Sequence, residues 1–215
     1  MKVQETNMKI SPSIYSSDLM HCAEELEFSD KYFDHLHIDI QDGVYSEVTL
    51  PMKLILEICE KTSARVSVHL QVTDPMIYLN DLLKVKHKIE VVHIHVEHLE
   101  KPLEVLKAYK DKGFRTGLGL SNRNLDKPID EFLPYIDTAL TLTAFIEDPD
   151  QLYSKTMEDY IIEVKKKKDI EMWADGGIRI EMLPHLEDIG IDYVVMGRAV
   201  YRNKDHIGEL SPRYK

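Results

Sequence analysis

Tyr32-Phe33-Asp34-His35-Leu36-His37-Ile38-Asp39-Ile40 ends in strict polar–apolar alternation, the period of two that an extended strand imposes. His37 and Asp39 therefore share one face of a predicted strand, at its polar end. Two other apolar runs close in the same manner. Ala64–Val72 carries His69 near its end, and Ile170–Ala174 runs into Asp175-Gly176-Gly177.

Working outward, short β-branched runs alternate with longer amphipathic stretches. Strands are expected at Met8–Ile14, Tyr32–Ile40, Ala64–Val72, Val91–Val96, Arg115–Leu120, Thr138–Ala144, Ile170–Ala174 and Tyr193–Met196. Helices are expected at Ser17–Phe28, Pro51–Lys61, Pro75–Lys84, Pro102–Lys112, Ile129–Tyr135, Asp150–Lys167 and Arg179–Ile189, three of them opening on the proline that suits a first helical turn. Eight strands alternating with helices and no linker-like stretch predict an α/β fold, a (β/α)8 TIM barrel over residues 8–215, after an N-terminal extension of residues 1–7. An open doubly wound sheet is the alternative, but it calls for Gly-x-Gly-x-x-Gly after the first strand, where this chain has Pro12-Ser13-Ile14-Tyr15-Ser16. Only Asn203–Lys215 follow the last strand, which predicts a short eighth helix, a thinly covered side and a place for subunit contact in a homo-oligomer.

The bulk properties exclude several partners. With 38 acidic and 27 basic side chains among 215 residues, the formal charge is −11, which argues against nucleic acid. No apolar run approaches the roughly 20 residues that cross a bilayer, and the polar start lacks the apolar centre of a signal peptide. Cys22 and Cys59 form no Cys-x-x-Cys pair and read as reduced thiols of a cytoplasmic protein. Lys84–Lys88 and Lys165–Lys168 read as solvated helix ends.

In a parallel barrel the strand ends converge on one rim, so His37, Asp39, His69 and Asp175 can meet there despite their separation in sequence. Two imidazoles and two carboxylates make a site for one divalent metal ion. Zn²⁺ suits the mixed set, and Fe²⁺, Mn²⁺ or Co²⁺ can also take it. The carboxylates can in addition move protons. Each motif alone is ordinary, since His-x-Asp is common and a lone strand-end histidine is usually a satisfied core group; their joint placement is the signal. Around them, Ser13 ends the first strand with a hydroxyl to offer a substrate, and His93, His95 and Glu97 alternate onto one face of the fourth. His95 and Glu97 can support a metal shell by hydrogen bonding or serve packing instead. Gly176-Gly177 and Gly197-Arg198 follow strands seven and eight, the loops that commonly bind phosphate in barrels, with Arg198 suited to an anion.

At these residues the chain resembles the ribulose-phosphate 3-epimerase family, including its hexulose-phosphate branches. The likeness runs from Ser11-Pro12-Ser13 through His37-Ile38-Asp39-Ile40, Asp42-Gly43, Val68-His69-Leu70, His95 with Glu97, and Asp175-Gly176-Gly177 to Gly197-Arg198. The resemblance implies a metal at His37, Asp39, His69 and Asp175, with the two aspartates as acid–base pair. It implies substrate contacts at Ser13 and His69 and a phosphate held by the paired glycines. The substrate is then a sugar phosphate, epimerised at C3 through an enediolate. The chain departs from the family at loop six, where a glycine-rich phosphate grip is replaced by Thr143-Ala144-Phe145-Ile146-Glu147-Asp148-Pro149-Asp150. Gln41, Gln71 and Leu142 stand at positions the family tends to fill with methionine, and Arg198 stands for a serine. A related decarboxylase would need a lysine within an Asp-x-Lys-x-x-Asp run, which residues 37–42 lack. The non-enzymatic alternative is a barrel that binds sugar phosphates without turning them over.

Overall fold

The structure, a computed structural model, describes residues 6–44, 48–148 and 150–215. Most of the expected extension, residues 1–5, lies outside the described residues, as does Pro149 of loop six. The strands are β1 (Lys9–Pro12), β2 (His35–Gln41), β3 (Arg65–Gln71), β4 (Ile89–His95), β5 (Thr116–Leu120), β6 (Thr138–Leu142), β7 (Glu171–Asp175) and β8 (Tyr193–Met196). They form one parallel sheet in the order β1-β8-β7-β6-β5-β4-β3-β2. A parallel bridge between Ser13 and His37 links the end of β1 to β2, so the sheet curls into a nearly closed barrel.

The period of two then sorts side chains between barrel interior and helical shell. Ile10, Leu36, Ile38, Val66, Val68 and Ile94 face outward into the main apolar core. The interior is more polar. A small separate cluster of Val91, Leu140, Trp173, Tyr193 and Val195 fills part of it, with the Trp173 and Tyr193 rings stacked at 3.9 Å. The imidazoles of His93 and His95 are also buried there, and β5 makes room for them. His93 stands opposite Gly117 and His95 opposite Gly119 across the β4–β5 register. A Cβ at Gly117 would collide with His93 and Thr138, and one at Gly119 would sit 2.5 Å from His95 Cδ2.

The helices are α1 (Cys22–Tyr32), α2 (Met52–Lys61), α3 (Met76–Lys84), α4 (Pro102–Asp111), α5 (Lys155–Lys167), α6 (Leu183–Asp188), α7 (Arg198–Tyr201) and α8 (Lys204–Tyr214). Several expected boundaries move for local reasons. Asp18 caps a 3-10 turn at Leu19–His21, so α1 starts at Cys22 and extends to Tyr32, which the sequence pattern assigns to a strand. Ser154 caps α5 by accepting from Met157 N, which sets its start well after Asp150. The expected helix Ile129–Tyr135 does not form. Pro134 lacks the N–H a helix interior needs, and only a 3-10 turn, Leu133–Tyr135, remains. The thin side of the shell therefore lies between β5 and β6. It is not at the chain end, because α8 runs for 11 residues, buries Ile207 and Tyr214, and packs on α1. The basic runs are also more engaged than solvated ends. Lys165 donates to the Gly190 carbonyl, Lys168 to the Ile136 carbonyl at 2.9 Å, and Lys88 to the Thr62 carbonyl at 2.6 Å.

Glu158, near the start of α5, is nearly buried and gathers three partners. Tyr153 donates to it at 2.7 Å, His185 Nε2 lies 3.0 Å away, and Lys155 pairs with it. Burial alone would raise its pKa, but Lys155, Tyr153 and His185 outweigh burial and hold it at about 2. A depressed carboxyl stabilises the fold above its unfolded pKa, and that contribution is lost as pH falls toward the folded one. Denaturant titrations of wild type and Glu158→Gln should therefore differ most above about pH 5 and converge as the pH approaches about 2. A difference independent of pH would contradict this assignment.

Candidate metal centre

β2 delivers His37 and Asp39 to the barrel interior on successive inward positions, and β3 places His69 opposite Asp39 in register. β7 approaches from the other side and ends on Asp175. The four residues each turn one ligand atom into a shared space, all within 4.8 Å of one another. His37 Nε2 lies 3.3 Å from Asp39 Oδ1 and 3.7 Å from Asp175 Oδ2. His69 Nδ1 lies 3.2 Å and 3.4 Å from the same two oxygens. Both imidazoles are fully buried, and both carboxylates are partly open to the cavity above.

The hydrogen-bond pattern tests whether a cation fits. Ser67 donates to the Leu36 carbonyl and sits 2.8 Å from His37 Nδ1, so it accepts the Nδ1 proton. That leaves the lone pair of His37 Nε2 directed at the carboxylates, and this buried nitrogen has no hydrogen-bond partner. A lone pair facing carboxylate oxygens is repelled unless positive charge lies between them. Two imidazoles and two carboxylates supply the nitrogen and oxygen donors that a borderline divalent ion takes.

Charge in the cluster is tightly constrained. Burial would raise the Asp39 pKa, but the His37 and His69 rings overcome it and hold the carboxyl far below the usual range. Burial likewise opposes a charged His69, yet hydrogen bonds to Asp175 and Asp39 raise its pKa to about 9. A proton on His69 and a divalent cation are thus alternative ways of neutralising the same pair of carboxylates.

Residues around the cluster orient it. Ser13 donates to Asp39 Oδ2 at 2.8 Å, so the hydroxyl expected to meet a substrate also fixes a carboxylate. His95 Nε2 lies 2.9 Å from His69 Nε2. Ser67 and the hydrogen-bonded pair Gln41–Gln71 are contributors the motifs alone did not expose. Their signal is the inward period of β3, on which Ser67, His69 and Gln71 share one face. His98 lies away from the cluster, 3.0 Å from Arg123.

Above the cluster opens a cavity of about 990 Å3, lined by Ser13, Asp39, Asp175, Gly176, Gly177, Gly197 and Arg198 among others. Gly176 and Gly177 adopt φ values of +110° and +67°, in the left-handed region that glycine tolerates. A Cβ on Gly177 would collide with the Tyr153 backbone, so the loop after β7 packs directly on loop six. Loop six is itself tied to β7, since Thr143 N donates to the Asp175 carbonyl and Thr143 Oγ1 to the Gly176 carbonyl, each at 2.6 Å. Two of its acids turn away from the cavity. Glu147 pairs with Arg123 at 3.1 Å, and Asp148 accepts from the Asp150 and Leu152 amides of its own loop. Arg198 reaches across to the Asp150 carbonyl at 3.2 Å while lining the cavity.

Comparison with known proteins agrees with this geometry. The model of the "Ribulose-phosphate 3 epimerase family" matches residues 9–201. The ribulose-phosphate 3-epimerase of Helicobacter pylori is 26% identical over 204 residues, covering 92% of this chain and 93% of that protein. That of Bacillus subtilis is 27% identical over 213 residues, covering 95% and 97%. Among solved structures, the tryptophan synthase A-subunit of Pyrococcus furiosus superposes with a TM-score of 0.67 at 15% identity, covering 98% of this chain and 97% of that one, a likeness of fold alone. A match spanning all eight strands, together with the rim cluster, places this chain in the ribulose-phosphate 3-epimerase family of isomerases.

Proposed function

We propose that this protein inverts C3 of a ketose phosphate, a pentulose or hexulose phosphate, by a metal-dependent two-carboxylate mechanism. The observation that carries the reading is the convergence of His37, Asp39, His69 and Asp175 at the foot of an open, glycine- and arginine-edged cavity. His37, Asp39, His69 and Asp175 would hold a divalent cation, with Zn²⁺ the best match, which would supply electrophilic stabilisation of developing negative charge worth several kcal/mol. One aspartate removes the C3 proton from one face of the carbon. The other returns a proton to the opposite face, which inverts the centre. Ser13 restrains Asp39 by its hydrogen bond, limiting the rotation a proton-transferring carboxylate could otherwise make. The rings of His37 and His69 keep Asp39 deprotonated until substrate arrives.

The phosphate sits at the loops after β7 and β8, where Gly176 and Gly177 leave backbone open and Arg198 adds charge. Glu147 and Asp148 turn away and so lessen the repulsion that the composition of loop six suggests, although Asp150 still lines the cavity. An acidic chain with unpaired Cys22 and Cys59 fits a cytoplasmic setting, and the protein works there as a homo-oligomer. A barrel that only binds sugar phosphates is favoured by the missing loop-six glycines alone.

Asp39→Asn and Asp175→Asn should each cut exchange of the substrate C3 proton with solvent deuterium by at least about 10²-fold, with the thermal melt showing an intact fold. Exchange at the wild-type rate in either variant would rule out the two-carboxylate scheme. Arg198→Gln should raise KM for the phosphorylated substrate by roughly 10- to 100-fold, the size of a lost charged hydrogen bond, while kcat changes little. An unchanged KM in steady-state assays would move the phosphate elsewhere.

A further inference from the structure

The side chains of His95 and Glu97 are both completely buried beside the rim cluster. Glu97 Oε1 accepts from Ser121 Oγ at 2.7 Å and lies 2.9 Å from His95 Nδ1. His95 Nε2 in turn lies 2.9 Å from His69 Nε2, and the two rings stand 5.0 Å apart at a tilt of 31°. The contacts form one line, Ser121–Glu97–His95–His69, running from the wall of the barrel to the candidate metal.

The direction of the protons along this line follows from the donors available. A carboxylate can only accept, so His95 Nδ1 donates to Glu97. A neutral ring that donates at Nδ1 accepts at Nε2, so the proton between the two imidazoles belongs to His69 Nε2. With its Nε2 committed, neutral His69 has its lone pair on Nδ1, the atom facing Asp39 and Asp175. We infer that Glu97 and His95 are positioning residues that hold His69 in the tautomer and orientation needed to bind the metal through Nδ1. This rests on the metal reading of the rim cluster.

The fold is shaped to permit the line. Gly119 stands opposite His95 in the strand register, and a Cβ there would press into the imidazole at 2.5 Å. Ser121 is held by its own local bonds, with its backbone N–H donating to Asn124 Oδ1 at 2.8 Å, so the hydroxyl that steadies Glu97 is itself fixed. Packing alone would not call for an ionisable pair here, because a buried imidazole and carboxylate are costly unless their hydrogen bonds are used. On the opposite inward face His37 receives the equivalent support from Ser67, which leaves Nε2 of that ring as the ligand atom.

The test is the metal affinity and visible spectrum of the cobalt(II)-loaded protein, measured for wild type, Glu97→Gln, His95→Leu and His95→Gln. Glu97→Gln and His95→Leu should weaken cobalt binding by about 10- to 100-fold in chelator competition and shift the ligand-field bands. His95→Gln keeps an acceptor for His69 Nε2–H and should recover most of the affinity, which a role confined to filling space would not predict. Thermal melts of the metal-free proteins report folding, and Gly119→Ala, which displaces the ring without changing the line's chemistry, serves as a second disruption if His95→Leu is unfolded. Wild-type affinity and spectrum in the folded Glu97→Gln variant would overturn the inference while leaving the metal centre standing. A wild-type protein that binds no cobalt would overturn the metal reading itself.

Discussion

Asp39 and Asp175 lean on the same two buried imidazoles at the rim, and that shared placement governs the rest of the site. Two like charges no more than 4.8 Å apart repel by at least roughly 3 kcal/mol at an effective dielectric near 20. The repulsion is tolerable only while positive charge stands between them. His69 supplies part of it, which is why its pKa is driven up to about 9 in the bare cluster while Asp39 is held deprotonated. A divalent ion held by His37, Asp39, His69 and Asp175 would neutralise the pair more completely. The chemistry and the stability of this rim are thus one electrostatic problem.

Solving it costs space as well as charge. An interior that carries His37, His69, His93 and His95 cannot be packed with the branched aliphatic layers usual in such barrels. The chain compensates locally: β5 withdraws its side chains at Gly117 and Gly119, and Ser67 and Ser121 supply small hydroxyls where larger groups would not fit. Trp173 and Tyr193 fill the remaining volume, with the indole N–H satisfied by Glu171 at 2.7 Å.

Much of this was readable from the chain. The period of two in residues 35–41 and 65–71 fixes which of their side chains face inward, and eight such runs separated by helical patterns leave few folds to choose among. Asp175 was marked by the glycines behind it. What stayed hidden depends on register between strands. Nothing in the sequence says that His95 meets His69, 26 residues away, although His-x-His in β4 followed by Gly-x-Gly in β5 is a legible complement once the two strands are neighbours. At residues 129–135 Pro134 wins over the helical expectation, and only a 3-10 turn forms. The direction taken by the loop-six acids was also out of reach, because it depends on Arg123 from the preceding loop.

The most direct measurement is anomalous scattering from a crystal of the protein grown with Zn²⁺ or Mn²⁺. One peak per chain is expected, bounded by His37 Nε2, His69 Nδ1 and oxygens of Asp39 and Asp175 at about 2.0–2.2 Å. A crystal with no peak at this rim, or with the ion bound elsewhere and these four side chains paired only with each other, would contradict the account.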